Sequence, residues 1–548
     1  MPAELQRDWT RLAARLAFAA FIASLLLGLL MPMYTDELGW RMQLRAGLDG
    51  GVDRMINDIC GPNTIAAPVW FMMPFRYLSG WLNSTFPDPL YVRITGVAAA
   101  ISWAFLLRDL IGRIAGDALR RNILMALAFG LLGMGLLPVM LTMSRPDQII
   151  LLAATAALLV AVMASQGEAL GPPRYRRWMW PLLIVLIALP ALSWHLKGIL
   201  FAPLFLVCIL FAGPAKDWKP RLLPALLFAG LAAQAAHYWL ARFRCPGDPG
   251  LAARLASENI ASALAEGGSW GGLLWTAIQG ANPNIYISFA EVRLRVMSDW
   301  LPPNLIGETA ATIRYLPMNL AWNALMLVGL LCLLRALLQR WRERRIDLMV
   351  AAPAVIAALV LVWGMSQRVK NDYEIMTVMP MIALFGLFSL AAIDWTPART
   401  RQLRIAAIAL VAVSLFGQID VIRRLAPPFY RAAQTPGYVT GQKTSVSAYG
   451  YGAIRGQIRQ TARQCGIGES GRARHPLVDD VTAFAMTDSW QPFHYLGVIG
   501  QWRGTIGDPL AYLTSRGSEG LIVGCHLLGP ELRARAIRSG EFCCISTR

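Results

Sequence analysis

The sequence predicts an all-α polytopic membrane bundle of about eleven transmembrane helices, with interfacial helices in its outer loops and a small C-terminal extracytoplasmic α/β domain. Three observations carry that expectation. Apolar runs long enough to cross a bilayer recur along the 548 residues. Short arginine clusters separate those runs. The segment 423–548 is polar instead, with its own helical and strand-like periods. Composition agrees: 56% of residues are hydrophobic, only 15% are charged, and the mean hydropathy is +0.46. Soluble chains carry about 25% charged residues.

The apolar runs fall at 13–32, 89–107, 122–142, 147–165, 179–194, 198–213, 221–241, 316–336, 347–366, 375–393 and 403–421. The first follows Arg7, Arg11 and Arg15 as a secretory leader would. It is longer than a leader's apolar core and no small-residue cleavage site closes it, so it is expected to stay as the first span. With the N-terminus in the cytoplasm, six basic clusters all land inside. They are Arg7/Arg11/Arg15, Arg108/Arg113/Arg120/Arg121, Arg174/Arg176/Arg177, Lys216/Lys219/Arg221, Arg335 with Arg340 to Arg345, and Arg399/Arg401/Arg404. The C-terminus then lies outside, which makes 1–422 a transmembrane domain and 423–548 an extracytoplasmic one. The expected location is the cytoplasmic (inner) membrane, with membrane lipids as partners. The net charge of +18 is thereby topology. No basic stripe with interleaved aromatics suggests a nucleic-acid partner.

Two long outer loops follow from this topology, 35–87 and 242–315. In the first, 38–48 and 69–81 have the pattern of amphipathic helices lying in the membrane interface. In the second, helices are expected at 251–265 and 285–300 between Gly and Pro clusters. The tail has helical periods at 449–465 and 531–538 and strand-like runs at 476–484, 521–525 and 542–545. Cys208 and Cys332 fall in spans; Cys60, Cys245, Cys465, Cys525, Cys543 and Cys544 fall outside, where thiols oxidise. A bridge between the loops (Cys60–Cys245) and one within the tail fit this layout, and spacing does not set the pairing. No Cys or His spacing suggests a zinc site.

Chemistry concentrates at the outer ends of the spans. Asp36 and Glu37 emerge directly after the first run, where desolvation and a neighbouring carboxylate raise a carboxylate's pKa toward the range of a general base. The same pair would also serve as a solvated N-terminal turn of the 38–48 helix. Three tight outer turns carry bases that the topology rule does not call for. They are Met143-Ser144-Arg145-Pro146-Asp147, the His195-Leu196-Lys197 turn after the fifth run, and the segment with Arg368, Lys370, Tyr373 and Glu374 after the ninth. Each taken alone reads as a helix cap with a snorkelling base, and His195 as an interfacial histidine. Ionisable groups recurring at one membrane depth suggest a functional ring of acids and bases opening outward.

The acidic pair after the first span, Arg145-Pro146-Asp147 after the third, the polytopic core and the outer α/β tail together resemble the GT-C superfamily of integral membrane glycosyltransferases. The similarity is greatest to the lipid A aminoarabinose transferase and protein O-mannosyltransferase types. That resemblance implies Asp36 as catalytic base with Glu37 beside it, and Asp147, with Arg145, in acceptor or active-site support; the residues themselves also let Arg145, Lys197, Arg368 or Lys370 neutralise a leaving phosphate. It implies Lys197, Arg368, Lys370 and Tyr373 holding the donor phosphate, with His195 and Glu374 as further candidates. The turn after the ninth span departs from the family pattern, because Glu374 stands between Tyr373 and the Pro380-containing span. The implied partners are a polyprenyl-phosphate sugar donor and an acceptor hydroxyl on an envelope lipid, glycan or protein, with inversion at the anomeric carbon. The resemblance brings no definite cofactor; a divalent cation, if used, would fall to Asp36, Glu37 and Asp147. A flippase, transporter or polymerase of lipid-linked glycans is the alternative. A transporter would show midplane charges and inverted repeats, and neither is visible.

Overall fold

The computed structural model describes residues 3–34, 37–38, 53–54, 65–66, 69–86, 88–168, 176–213, 219–242, 270–288, 308–366, 374–438, 445–467, 476–485, 494–495, 509–515 and 518–547. Each of the eleven apolar ranges is helical over most of its length. Among the described residues seven helices are long and apolar enough to cross a membrane, and Trp178–Trp194, Ala202–Phe211 and Ile375–Ala391 are shorter apolar helices. The range 122–142 is a broken helix: Ala118–Leu132 ends at Gly133, and Leu137–Met140 follows. Gly135 between them has φ +63°, which a side chain rarely adopts.

The chain divides into two compact units. The first comprises Met1–Leu29, Gly96–Ala236 and Glu258–Ala426. Its central helix is Ile375–Ala391, buried without interruption from Ile375 to Leu390. A helix apolar on every face is stable only when surrounded, and Leu348–Ser366 and Glu308–Arg342 pack along this one. A Cβ on Gly386 would stand 2.5 Å from the Leu325 side chain, so the Glu308–Arg342 helix approaches as closely as a small residue permits. Helix Ala3–Leu27 lies against Ala118–Leu132, with Phe18 and Phe21 in ring contact with Phe129.

The second unit comprises Leu30–Thr95, His237–Ser257 and Pro427–Arg548. It holds a five-stranded sheet in which Leu477–Val478 runs parallel to His494–Tyr495 on one side and to Gly520–Gly524 on the other. Phe542–Ser546 and Ile537–Ser539 extend it antiparallel. Helix Tyr451–Gln464 buries Tyr451, Ile454 and Ile458 in the core that includes Val478, Ile522 and Phe542. Met33–Tyr34, just beyond the first helix, pairs antiparallel with Ser445–Val446.

Neighbouring side chains on a strand point to opposite faces, and this explains the two bridges of the tail. Cys544 reaches Cys465 at the end of the core helix, whereas Cys543 reaches Cys525 beside the next strand. Cys60 and Cys245 lie outside the described residues, as do the expected helices 251–265 and nearly all of 38–48. Helix Met73–Thr85 forms where the 69–81 pattern places one.

Two expectations in the tail change. The run 476–484 is strand only at Leu477–Val478. Asp479 then accepts the Thr482 backbone N–H at 2.7 Å and starts the helix Asp480–Ala485. The 531–538 helix stops at Arg535, because Ile537–Ser539 pairs with Phe542–Ser546 across a two-residue hairpin whose Gly540 has φ +61°.

Candidate active site

Of the acidic pair, Asp36 lies outside the described residues and Glu37 is fully buried. Arg93, on helix Pro89–Ile114, donates from one Nη to Glu37 Oε1 at 2.8 Å and to the Pro32 carbonyl at 2.8 Å. The Tyr34 backbone N–H donates to the same Glu37 oxygen at 3.0 Å. Glu37 and Arg93 therefore clamp the chain on both sides of Asp36. Tyr449 sits near the pair; burial pushes its phenol up and the Arg93 charge opposes that. Arg93 was not among the sequence candidates, although it meets the criterion that selected them: a base at the outer end of a span.

The turn before helix Pro146–Ser165 is built by proline. Pro146 occupies the first helical turn, where its missing N–H is not needed, and forces Arg145 into an extended conformation at φ −114°, ψ 161°. Gln148 pins the turn by donating to the carbonyls of Gly96 (2.8 Å) and Leu141 (2.5 Å). The Arg145 and Asp147 side chains are thus held inside the first unit, both buried.

Asp147 is the hub. Its Oδ1 accepts from Lys197 Nζ at 2.8 Å and from Thr377 Oγ at 2.9 Å. Its Oδ2 lies 3.5 Å from Arg145 Nε. Lys197 opens the short helix Lys197–Leu200, and its backbone N–H donates to His195 Nδ1 at 3.0 Å, so the imidazole accepts at that nitrogen. A Cβ on Gly198 would fall 2.0 Å from the Ala191 carbonyl oxygen; glycine lets this turn sit directly on helix Arg176–Trp194 and holds Lys197 in place. The Lys197 ammonium stands 5.1 Å from the centre of the Trp363 ring, at cation–π distance.

Trp363 links this hub to a second carboxylate. Its Nε1 donates to Glu374 Oε2 at 3.4 Å, and Glu374 is fully buried at the start of the central helix. Tyr286 donates its hydroxyl to the Gly280 carbonyl at 2.7 Å, and burial together with the Glu374 charge pushes its phenol up. Thr377 and Glu374 thus come from one end of the central helix, Trp363 from the end of Leu348–Ser366, and the ion pair from two tight turns. Arg368, Lys370 and Tyr373 lie outside the described residues.

Of the sequence candidates, the structure thus brings Arg145, Asp147, His195, Lys197 and Glu374 into one neighbourhood of the first unit, and joins Glu37 to Arg93 in the second. Thr377 and Trp363 were not singled out; Thr377 lies inside an apolar helix, and only its partner Asp147 reveals its role. Among the described residues no three His, Cys, Asp or Glu side chains converge as they would around a metal.

No protein-family model and no curated protein sequence matches the chain. Among solved structures, the chain is similar to the oligosaccharyltransferase of Archaeoglobus fulgidus tethered to an acceptor peptide. The identity is 10%, the match covers 93% of this chain and 69% of that one, and the TM-score is 0.47. It is similar to AglB of the same organism in complex with an inhibitory peptide and a dolichol-phosphate, with 11% identity, the same coverages and a TM-score of 0.44. It is also similar to ArnT from Cupriavidus metallidurans bound to undecaprenyl phosphate, with 14% identity, 99% and 98% coverage and a TM-score of 0.40.

Proposed function

We propose that this multi-pass membrane protein is a GT-C-type glycosyltransferase. It moves a sugar from a polyprenyl-phosphate donor to an acceptor hydroxyl on a cell-envelope lipid, glycan or protein, at the outer face of the cytoplasmic membrane. The observation that carries the reading is the Asp147 hub. Two cations from separate tight turns, Arg145 and Lys197, share one buried carboxylate. Ionisable groups so placed in a membrane protein are costly and mark functional sites.

In this reading Asp36 removes the proton from the acceptor hydroxyl as that oxygen attacks the anomeric carbon. The bond to the phosphate oxygen breaks with inversion, and the phosphate leaves as an anion. Lys197 and Arg145 receive that growing charge, with Arg368, Lys370 and Tyr373 as further donors. Arginine grips a phosphate with two parallel hydrogen bonds, lysine as a point charge. Asp147 keeps the Lys197 ammonium aimed and lowers the cost of burying it. Glu37, already held by Arg93, fixes the loop that carries the base.

The test is turnover of a purified polyprenyl-phosphate sugar by the protein in lipid nanodiscs. Asp36→Asn is expected to lower the rate by about 10²–10⁴-fold, the usual contribution of general-base catalysis, at unchanged protein yield. Undiminished transfer by this variant would exclude Asp36 as the base. Movement of the intact glycolipid between leaflets with no transfer at all would favour a flippase.

A further inference from the structure

Polar side chains inside a membrane-spanning helix either join it to a neighbour or face a ligand, and their hydrogen-bonding ends separate the two cases. The span Tyr315–Arg342 carries Arg335, Arg340 and Arg342 toward one end and Asn319 and Asn323 toward the other. The two asparagines lie about one and two turns inside it. They stand between the exposed Leu316, Leu320 and Leu327 and the buried Met318 and Trp322. Asn284, on the short helix Pro283–Ser288, meets them there. Asn323 Nδ2 donates to Asn284 Oδ1 at 2.7 Å, and stands 2.5 Å from Asn319 Oδ1 and 2.8 Å from the Asn319 carbonyl.

Three amides in a row cannot satisfy one another. Each side chain offers an NH2 group at one end and a carbonyl oxygen at the other. The row uses the Asn323 NH2 and the side-chain oxygens of Asn284 and Asn319. Among the described residues, the NH2 groups of Asn284 and Asn319 and the side-chain oxygen of Asn323 bond to nothing. Turning an amide about exchanges its N and O, and still leaves at least one end of each side chain unused. All three residues are half-buried. A joint between helices needs no such surplus, and unmatched amide ends within a membrane span are costly.

Two donors beside one acceptor match hydroxyl groups on neighbouring carbons of a sugar, each of which both accepts and donates. The row carries no charge, so a neutral polyol suits it better than a phosphate. Helix Pro283–Ser288 also packs on the central helix Ile375–Ala391, whose first turn carries Thr377 of the Asp147 hub.

We propose, in a step that rests on the sugar-transfer reading, that Asn284, Asn319 and Asn323 bind neighbouring hydroxyls of the donor's sugar ring. The row thereby selects the glycosylated carrier over the bare polyprenyl phosphate.

The test measures affinity of the full chain in nanodiscs for undecaprenyl phosphate and for the same carrier bearing glucose, galactose, mannose or 4-amino-4-deoxyarabinose. A neutral hydrogen bond contributes about fivefold, so the wild type is expected to prefer at least one glycosylated carrier over the bare one by about tenfold or more. Asn319→Ala is expected to lose about fivefold of that preference, and Asn319→Ala with Asn284→Ala about tenfold or more, with affinity for the bare carrier unchanged. Asn323→Leu, an apolar side chain suited to a span, is expected to lose the preference with little change in Tm. Equal losses for bare and glycosylated carriers would make the row a helix joint and overturn the proposal. So would an undiminished preference in the double variant. A wild type that binds every carrier equally would overturn the sugar subsite alone; one that binds none of them would overturn the transfer reading with it.

Discussion

Two buried acid–base groups, one in each unit, use the same residue types in opposite ways. In the second unit Glu37 and Arg93 form a buried pair: both side chains are 0% exposed, and they bond to each other, to the Pro32 carbonyl and to the Tyr34 N–H. One charge offsets one charge, and the hydrogen bonds go to backbone. In the first unit Asp147 is shared by Lys197 and Arg145, whose side chains are 11% and 5% exposed, and Trp363 contacts both Lys197 and a further buried acid, Glu374. A matched, sealed pair fixes a conformation. In the proposed reading, a hub with two cations to one carboxylate keeps positive potential for an incoming anion. On that reading the same chemistry gives a clamp in one place and a receptor in the other.

The largest effect expected from this contrast is on stability, at the clamp. Removing one partner of a sealed ion pair strands the other and costs about 3–5 kcal/mol. Arg93→Ala or Glu37→Ala is therefore expected to lower the Tm in detergent sharply. Arg93→Met combined with Glu37→Leu is expected to recover most of that loss, because no charge is left uncompensated. A double variant no more stable than the singles would show that the pair does more than neutralise itself.

At the hub the expected effect lies in ligand binding. Arg145→Gln removes one of the two cations while Lys197 still compensates Asp147. Affinity for a polyprenyl phosphate is expected to fall at least tenfold with little change in Tm, since hydrogen bonds to charged groups contribute about 1.5–3 kcal/mol. A large Tm drop with unchanged affinity would make the hub a second clamp. The smallest effect is expected from Thr377→Val, which deletes one neutral donor to Asp147 at a cost of about 1 kcal/mol. It is expected to weaken donor binding by about fivefold and to leave the acceptor KM unchanged.

Much of the helical frame is legible in the sequence, because long apolar runs and the arginines between them follow from the bilayer itself. The tail's central helix and the strands Gly520–Gly524 and Phe542–Ser546 are also visible as local periods. What stays hidden depends on partners distant in the chain. Arg93 is 56 residues from Glu37, and Thr377 is 230 residues from Asp147. Cys543 and Cys544 are adjacent, and only the alternation of a paired strand sends them to different partners. Strand Ile537–Ser539 replaces a helical end because its hairpin mate supplies hydrogen bonds that a short helix cannot match. Helix Trp270–Gly280 escapes the sequence pattern because two of its residues at the start are glycine, and it packs on Leu348–Ser366 through the close approach of Gly280 to Gly364.

The division of labour between base and phosphate receptor is best tested by measuring binding of a polyprenyl phosphate and transfer of its sugar side by side in Asp36→Asn and Arg145→Gln. The account predicts that Asp36→Asn binds the carrier as the wild type does and transfers almost nothing, while Arg145→Gln loses the carrier itself. Wild-type binding by Arg145→Gln, or lost binding by Asp36→Asn, would contradict it.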